Sequence, residues 1–315
     1  MEMYLVTGGC GFIGSHLVDA LLEKGHSVRI LDNLSTGKRA NVDSRAELIV
    51  GDVGDEQTVL RAMKGMDGCF HLAAVASVRQ SVEDWTGTHI TNLTGAINVF
   101  NAARCCKNGT PVGVVYASSA AVYGDNAAMP LDESAITRPL TAYGADKLGC
   151  EQHARVAGLI HQVPTMGFRF FNVYGPRQDP ASPYSGVISI FAANILAGQS
   201  VTVFGDGQQI RDFIYVSDIV IFLQKGMEQA TTTAPVFNAC TGAGTNIIQI
   251  AKSLASVNGT TVDLTMKPVR AGDIRVSLGN PDQALQHLSL KASVSLGAGL
   301  RETLQFLKSS DTATV

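Results

Sequence analysis

The sequence predicts an α/β protein with a doubly wound parallel sheet and a smaller C-terminal α/β domain. Two observations carry this prediction. Short apolar segments alternate with longer helical segments through the first 172 residues of the 315-residue chain, and such alternation produces right-handed crossovers and a parallel sheet covered on both faces. A glycine-rich turn also follows the first apolar segment directly, at a strand end where such sheets form their binding crevice.

The predicted elements of the first domain follow one another in regular order. Apolar segments of strand length occupy residues 4–7, 28–31, 48–50, 69–73, 112–117 and 165–171. Helical segments between them cover residues 13–24, 56–66, 91–106 and 142–160. The first helix carries apolar Ile13, Leu17 and Leu21, and Gly25 ends it.

The chain changes character after residue 172. Glycine and proline cluster between residues 175 and 186, and shorter elements follow at 187–197, at 201–204 and after 217. We therefore predict a first domain of residues 1–172 and a second domain formed mainly by residues 173–315. Segments within about 205–245, including a strand at 236–239, are expected to rejoin the first domain.

Composition limits the classes of function. The formal net charge of −3 argues against the basic surface that a nucleic-acid partner requires. We find neither a signal peptide nor an apolar run of membrane-spanning length, so we expect a cytoplasmic protein without a membrane partner. The six cysteines include no Cys-x-x-Cys pair, and the adjacent Cys105 and Cys106 lack metal-ligand spacing. We therefore expect reduced core thiols and no metal site.

A glycine fingerprint follows the first predicted strand. Gly9-x-Gly11-x-x-Gly14 opens the first helix, a context typical of a Rossmann dinucleotide site. Gly8 and Gly11 would let the backbone approach a pyrophosphate, and Gly14 would let the helix pack tightly on the strand. The N–H groups that face the anion at the positive end of the helix belong to Phe12 and Ile13.

An acidic residue completes the fingerprint and indicates which dinucleotide binds. Asp32 lies 18 positions after Gly14, at the end of the second predicted strand. Its carboxylate can accept hydrogen bonds from the adenosine ribose and would repel a 2′-phosphate, which favours NAD over NADP. Lys38 and Arg39 follow closely and keep NADP as the alternative.

A tyrosine and a lysine stand four residues apart on the last helix of the first domain. This spacing places Tyr143 and Lys147 on one helix face. Alone, such a pair is equally typical of a solvated helix. The preceding strand ends in Ser118-Ser119, however, and this strand end should lie at the ligand crevice of a parallel sheet. The combination predicts an active site.

Taken together, these motifs resemble the extended short-chain dehydrogenase/reductases, and among them the UDP-glucose/UDP-N-acetylglucosamine 4-epimerases. The resemblance extends from Tyr4 to about Ala284, and its motifs are Gly8-x-x-Gly11-x-x-Gly14, Ser118-Ser119-Ala-Ala-Val-Tyr123-Gly124 and Tyr143-x-x-x-Lys147. It implies a reaction in which hydride leaves C4 of the sugar, the 4-keto sugar turns in the site, and hydride returns to the other face. NAD would be regenerated in each cycle.

The resemblance also implies residue roles. Tyr143 would be the general base, and Lys147 and the nicotinamide charge would favour its ionised form. Lys147 would also bond the nicotinamide ribose. Ser119 would contact the sugar 4-oxygen, with Ser118 as the alternate. The implied cofactor contacts are Gly8, Gly11, Phe12, Ile13, Gly14, Asp32, Asn33, Ser35, Gly37, Asp52, Val53, Leu72, Ala73, Ala74, Asn92, Tyr143 and Lys147.

A substrate side is implied in the same way. Asn172 and two arginines, Arg211 and Arg270, would bind the nucleotide diphosphate, because each guanidinium offers a planar fork of donors. Phe204 matches an aromatic residue of the uracil pocket, and Asp273 would hold the uridine ribose. The implied substrate contacts are Ser118, Ser119, Asn172, Val187, Phe204, Arg211, Arg270, Asp273 and Ser277.

Departures from the family pattern refine the substrate and the reaction. Ser277 aligns with a gatekeeper position at which a tyrosine restricts the pocket to hexoses, and a small residue resembles enzymes that also accept N-acetylhexosamines. Ala120 and Ala121 stand where dehydratases usually carry Asp-Glu, which disfavours a 4,6-dehydratase. Ala121 and Ala76 also replace residues that contact the cofactor in many epimerases, so one such contact is expected to be missing.

The sequence leaves two alternative functions open and also predicts how copies of the chain assemble. The alternative enzyme is a nucleotide-sugar 4,6-dehydratase or reductase. The alternative class is a non-catalytic dinucleotide sensor, although such proteins usually lose the Tyr/Lys pair. In the family, helices that correspond to residues 91–106 and 142–160 pair across a homodimer as a four-helix bundle, so we expect a homodimer.

Overall fold

The structure is a computed structural model that describes residues 1–182, 186–269 and 273–312. The strands in these ranges are β1 (Met3–Thr7), β2 (Ser27–Asp32), β3 (Glu47–Val50), β4 (Gly68–His71), β5 (Gly113–Ser119), β6 (Thr165–Phe170), β7 (Asn172–Tyr174), β8 (Val201–Phe204), β9 (Ile210–Tyr215), β10 (Val236–Ala239), β11 (Gly244–Asn246), β12 (Leu264–Lys267) and β13 (Val276–Ser277).

The α-helices of the same ranges are α1 (Phe12–Glu23), α2 (Glu56–Met63), α3 (Val78–Glu83), α4 (Trp85–His89), α5 (Gly95–Ala103), α6 (Ala142–His161), α7 (Val187–Leu196), α8 (Val216–Gln229), α9 (Ile247–Asn258), α10 (Asp282–Leu288) and α11 (Leu296–Thr312). Short 3-10 helices occur at Arg39–Asn41 and Ala120–Tyr123, and a π-helix at Ile90–Thr94. Within this described part of the chain, no helix has the length and apolar character needed to cross a membrane.

Seven parallel strands form the central sheet, in the order β10-β6-β5-β4-β1-β2-β3. The chain runs from β1 through β2 to β3 at one edge of the sheet. It then crosses back to β4 on the other side of β1, and the later strands extend toward the opposite edge. The α/β class with a doubly wound parallel sheet is therefore confirmed. A crevice forms at the carboxyl ends of the strands where the order reverses.

Alternate strand residues are buried in two cores, one on each face of the sheet. On one face, fully buried Val6, Ile30 and Val115 pack against α1 and α8. On the other face, fully buried Leu5 and Val114 pack against α2, α5 and α6. The near-continuous apolar strands of the sequence follow from this burial on both sides.

A second, smaller unit forms around β9. Strands β11, β9 and β13 make a sheet in that order, β7 also pairs with β9, and β8 pairs with β12 in parallel. Helices α7, α9 and α11 pack together over a third core, with Phe191, Leu254 and Leu300 buried between them. From this unit the chain returns through α8, which packs against the central sheet, to β10, which pairs with β6 as its edge strand.

The predicted helix that differs most from the structure in its bounds lies before β5. The sequence predicts a helix at 91–106, whereas the helical run begins at Trp85 and ends at Ala103, with a π-helical turn inside it. It begins earlier because the carboxylate of Asp84 accepts a hydrogen bond from the Gly87 N–H at 3.0 Å and caps the first turn. The π turn contains Asn92, which is fully buried.

Candidate active site

The glycine turn after β1 is shaped by close backbone approach. Gly8 has a φ of +70°, and a Cβ there would lie 2.8 Å from the Ala73 nitrogen. A Cβ on Gly14 would lie only 2.2 Å from the Gly8 carbonyl oxygen. No side chain fits these two positions, so the turn leaves a cradle of exposed backbone at the start of α1. The N-terminus of α1 then offers N–H groups and a positive dipole to a phosphate.

Asp32 ends β2 beside this turn and is held in place by the backbone. Its carboxylate accepts hydrogen bonds from the N–H groups of Cys10 at 2.9 Å and Leu34 at 2.8 Å. Lone pairs remain on both oxygens for the hydroxyl groups of a ribose. Lys38, which kept NADP as an alternative, forms an ion pair with Asp179 at 2.6 Å. The residues present therefore fit NAD, and the lysine charge is already matched.

One cavity of about 480 Å³ runs along the carboxyl ends of the central strands. It joins the glycine turn to the ends of β4 and β5 and continues to the start of α7. Most of the residues that the sequence predicts for the cofactor and the sugar line this cavity, namely Gly8, Gly11, Phe12, Ile13, Gly14, Asp32, Asn33, Ser35, Gly37, Val53, Leu72, Ala73, Ala74, Ser118, Ser119, Tyr143, Lys147, Asn172 and Val187.

Two predicted cofactor residues lie behind the cavity wall and act through neighbours. Asp52 accepts a hydrogen bond from Nδ2 of Asn33 at 2.8 Å, so it orients a residue that lines the cavity. Asn92 bonds both backbone groups of Val75, accepting from its N–H at 2.8 Å and donating to its carbonyl at 3.1 Å. The structure therefore shows both residues supporting the wall, and their direct contacts with the cofactor stay predictions.

The family resemblance places the segment that ends at Arg177 at the mouth of the substrate pocket, and the wall of the cavity continues through the next two residues. Arg177, Gln178 and Asp179 line the cavity after β7. Arg177 pairs with Asp19 of α1 at 2.7 Å, and Asp179 pairs with Lys38, so this segment lies against the first domain. Gln178 and Asp179 were not identified from the sequence, because the Gly-Pro dipeptide before Arg177 marks a turn without indicating its partners.

Tyr143 and Lys147 lie side by side in the first turns of α6. The hydroxyl of Thr141 accepts a hydrogen bond from the Gly144 N–H at 3.1 Å and caps the helix. Lys147 is 1% exposed, its Nζ donates to the Ala117 carbonyl at 2.9 Å, and this nitrogen lies 5.9 Å from the centre of the Tyr143 ring. The ammonium is thus fixed between the end of β5 and the phenol.

The two serines at the end of β5 have different surroundings, as alternation along a strand requires. Ser119 accepts a hydrogen bond from the Ala121 N–H at 3.1 Å and opens the 3-10 helix, on the cavity wall. The Ser118 hydroxyl instead donates to Oε1 of Glu151 at 2.5 Å, inside the protein. The geometry therefore favours Ser119 for the sugar contact, and the alternate contact of Ser118 stays a prediction.

A buried polar network lies behind Ser118. Glu151 accepts two hydrogen bonds from Arg169, and Nη1 of Arg169 donates to the hydroxyl of Tyr123 at 2.9 Å. Tyr123 in turn donates to Oδ1 of Asn238 at 2.7 Å. The network joins α6, β5, β6 and β10 behind the reacting end of the cavity. None of its members was recognised as functional from the sequence, because their partners are far apart along the chain.

The remaining predicted substrate residues form a separate group, which we call the substrate cluster: Phe204, Arg211, Asp273 and Ser277. Arg211 donates from Nη2 to Oδ1 of Asp273 at 2.6 Å. Ser277 on β13 stands opposite Arg211 on β9. Burial lowers the pKa of the Arg211 guanidinium, and Asp273 opposes that shift. These four residues do not line the main cavity, and Arg270 lies outside the described residues.

This arrangement can perform a defined chemistry. A phenol, an ammonium group and a serine hydroxyl stand at one end of a cavity whose other end suits a dinucleotide. Such a set can remove a proton from a sugar hydroxyl beside a hydride acceptor.

Comparison with known proteins agrees with this geometry. Residues 4–240 match the family model described as the NAD dependent epimerase/dehydratase family. The UDP-glucose 4-epimerase of Mycolicibacterium smegmatis is 34% identical over 96% of this chain and 98% of its own length.

Two solved structures show the same fold over nearly the whole chain. The UDP-glucose 4-epimerase of Thermotoga maritima with UDP-glucose is 35% identical with a TM-score of 0.93, and covers 98% of this chain and 99% of that one. The UDP-N-acetylglucosamine 4-epimerase of Methanobrevibacter ruminantium, in complex with UDP-N-acetylmuramic acid, is 36% identical with a TM-score of 0.92 at the same coverage.

Proposed function

Because the chain belongs to the NAD dependent epimerase/dehydratase family, we propose that it is a UDP-sugar 4-epimerase. Its substrates would be UDP-glucose/UDP-galactose, UDP-N-acetylglucosamine/UDP-N-acetylgalactosamine, or both pairs. One observation carries the proposal: Tyr143, Lys147 and Ser119 meet at one end of a cavity whose other end is the glycine turn. The epimerase relatives support the same reaction.

The chain's own residues would move one proton and hold the sugar. The fixed Lys147 ammonium would stabilise the phenolate form of Tyr143, which would take the proton of the 4-hydroxyl and become the neutral phenol. Ser119 would hydrogen-bond the sugar 4-oxygen as charge develops there. NAD, held by the glycine turn and Asp32, would supply the reversible hydride acceptor that inversion at C4 requires.

The surroundings of Ser119 support an epimerase rather than a dehydratase. Elimination of water needs an additional acid and base near the sugar. The 3-10 helix that Ser119 opens begins with Ala120 and Ala121, which carry neither group. A sensor without catalysis would not need the Tyr143–Lys147 pair.

The substrate cluster would hold the nucleotide. Arg211 and Arg270 would contact the diphosphate, Phe204 the uracil and Asp273 the ribose. Ser277, a small residue opposite Arg211, would leave room for an N-acetyl group. We expect Ser277→Tyr to abolish turnover of UDP-N-acetylglucosamine and to spare UDP-glucose. Initial rates on both sugars measure this, and equal losses on both would contradict the role of Ser277.

An exposed apolar surface supports a homodimer. Val82, Trp85 and Leu159 are 72%, 69% and 64% exposed, and they lie on α3, α4 and α6. Exposed apolar groups on neighbouring helices favour pairing with another surface of the same kind. Two copies that pair through these helices would bury them. Sedimentation velocity on the purified chain measures the assembly, and a monomer at micromolar concentration would contradict it.

We propose a cytoplasmic location for the enzyme. All six cysteines are free thiols, and Cys10, Cys69, Cys150 and Cys240 are buried. Unpaired buried thiols are typical of a reducing compartment. Cell fractionation of the tagged chain tests this, and recovery from an oxidising compartment would contradict it.

The reaction itself is tested by following the sugar protons with NMR. The purified chain is incubated with UDP-glucose and, separately, with UDP-N-acetylglucosamine. We expect the 4-epimer to form without stoichiometric NADH. Tyr143→Phe should lower turnover by about 10²–10⁴-fold while NAD stays bound. A 4-keto-6-deoxy product, or full turnover by the Tyr143→Phe variant, would overturn the proposal.

A further inference from the structure

Gln209 is a buried glutamine that contacts the substrate cluster. It is 6% exposed, whereas the neighbouring Gln208 is exposed. Its Nε2 donates to the carbonyl oxygen of Phe204 at 2.7 Å and to Oδ2 of Asp273 at 2.9 Å. A single amide group therefore ties the end of β8 to the segment that carries Asp273.

The carboxylate of Asp273 is held from two alternate positions of the chain. Gln209 bonds Oδ2, and Arg211 bonds Oδ1 at 2.6 Å. Gln209 immediately precedes β9 and Arg211 lies on it, and both side chains reach the one carboxylate. With both oxygens engaged, the carboxylate has a defined orientation, and its remaining lone pairs can accept further hydrogen bonds.

The oxygen of the Gln209 amide indicates that the two hydrogen bonds donated by Nε2 are the reason for an amide at this position. Oε1 is buried and has no hydrogen-bond partner among the residues that the structure describes. Burying an acceptor without a partner costs free energy. Leucine, which is of similar size, would avoid this cost. The amide is therefore suited to its two donated hydrogen bonds rather than to packing.

We infer that Gln209 is a positioning residue of the nucleotide subsite, and this inference rests on the proposed function. Gln209 sets the distance between Phe204, at the uracil, and Asp273, at the ribose. It touches neither the reacting sugar carbon nor Tyr143. Its contribution is equal in the bound ground state and in the transition state, so it acts on binding and leaves the chemical step unchanged.

The test compares variants at the two adjacent glutamines. Gln209→Leu should raise the KM for the UDP-sugar and the Kd for UDP about tenfold, as expected for lost hydrogen bonds, with kcat within about twofold of wild type. Gln208→Leu is the matched control and should leave KM, Kd and kcat unchanged. Gln209→Glu keeps the shape but places acceptors against a carbonyl and a carboxylate, so its loss of binding should be at least as large.

Calorimetric titration with UDP separates the outcomes. Wild-type KM and Kd in Gln209→Leu would overturn the role of Gln209 and leave the proposed function standing. A fall in kcat with unchanged KM would also overturn it, because that result places the effect in the chemistry. If the wild-type chain does not bind UDP, the proposed function fails and this role fails with it.

Discussion

The ion pair between Glu151 on α6 and Arg169 on β6 joins the catalytic helix to the central sheet. Arg169 donates from Nε to Oε1 at 2.9 Å and from Nη2 to Oε2 at 2.7 Å. The Arg169 side chain is 7% exposed and the Glu151 side chain is 6% exposed. Water therefore cannot replace either partner. Arg169→Met removes both charge-assisted bonds and leaves the carboxylate buried with Ser118 as its remaining donor.

The expected cost follows from this burial. Removing one partner of a buried pair leaves an uncompensated charge, which typically costs about 3–5 kcal/mol of the free energy of unfolding. Adding Glu151→Gln to Arg169→Met removes that charge. The double variant should therefore be more stable than Arg169→Met alone, since most of the loss comes from the stranded carboxylate rather than from lost attraction.

Equilibrium unfolding in urea measures these free energies. NAD must be held at one concentration for all variants, because a ligand that binds the folded state adds to its stability. A loss below about 1 kcal/mol in Arg169→Met would refute the reasoning, since that value is typical of an exposed pair. A double variant less stable than Arg169→Met would refute the assignment of the cost to the buried charge.

Two further predictions concern the cradle and the sheet. Gly14→Ala should cost about 1–3 kcal/mol of the free energy of unfolding and release NAD on desalting, because its Cβ would meet the Gly8 carbonyl at 2.2 Å. The control Gly297→Ala, with open space around it, should change neither the stability nor the retention of NAD. Equal NAD retention in the two variants would contradict this prediction. Burial lowers the pKa of His71 to about 3, so the unfolded chain binds the extra proton below about pH 6.5. Between pH 7.5 and 5.5 the wild type should lose about 1 kcal/mol more of its free energy of unfolding than His71→Gln. Equal losses in urea unfolding would refute a neutral buried imidazole.

The parts of the site that the sequence alone brings to the cavity depend on neighbours within a few residues. Gly8 and Gly14 must lack side chains because other backbone atoms lie close to both positions in the turn. The glycine spacing of the motif indicates this requirement. Tyr143 and Lys147 share a helix face because their spacing matches one helical turn. Asp32 lies at the turn because β2 ends there. In each case the physical constraint is local, so the residue pattern was sufficient.

The features that the sequence did not indicate depend mostly on partners elsewhere in the chain. Alternation along β5 sends Ser118 and Ser119 to opposite faces, but which face is the protein interior depends on Glu151, 33 positions along the chain from Ser118. Asn92 supports the cavity wall instead of forming it, because its amide meets Val75 across a π turn that periodicity did not indicate. Helix bounds changed where a side chain, that of Asp84, capped the first turn.

By itself, the sequence determined the α/β class, the NAD cradle and the Tyr143–Lys147 pair, because each depends on backbone sterics or on spacing along a single element. The tertiary structure alone decided which serine faces the cavity, which carboxylates support it, and that Gln209 reaches Asp273 across 64 positions of the chain. These contacts join elements that are distant in sequence. Their geometry is set by how β5, β9 and α6 pack, and no local pattern encodes that packing.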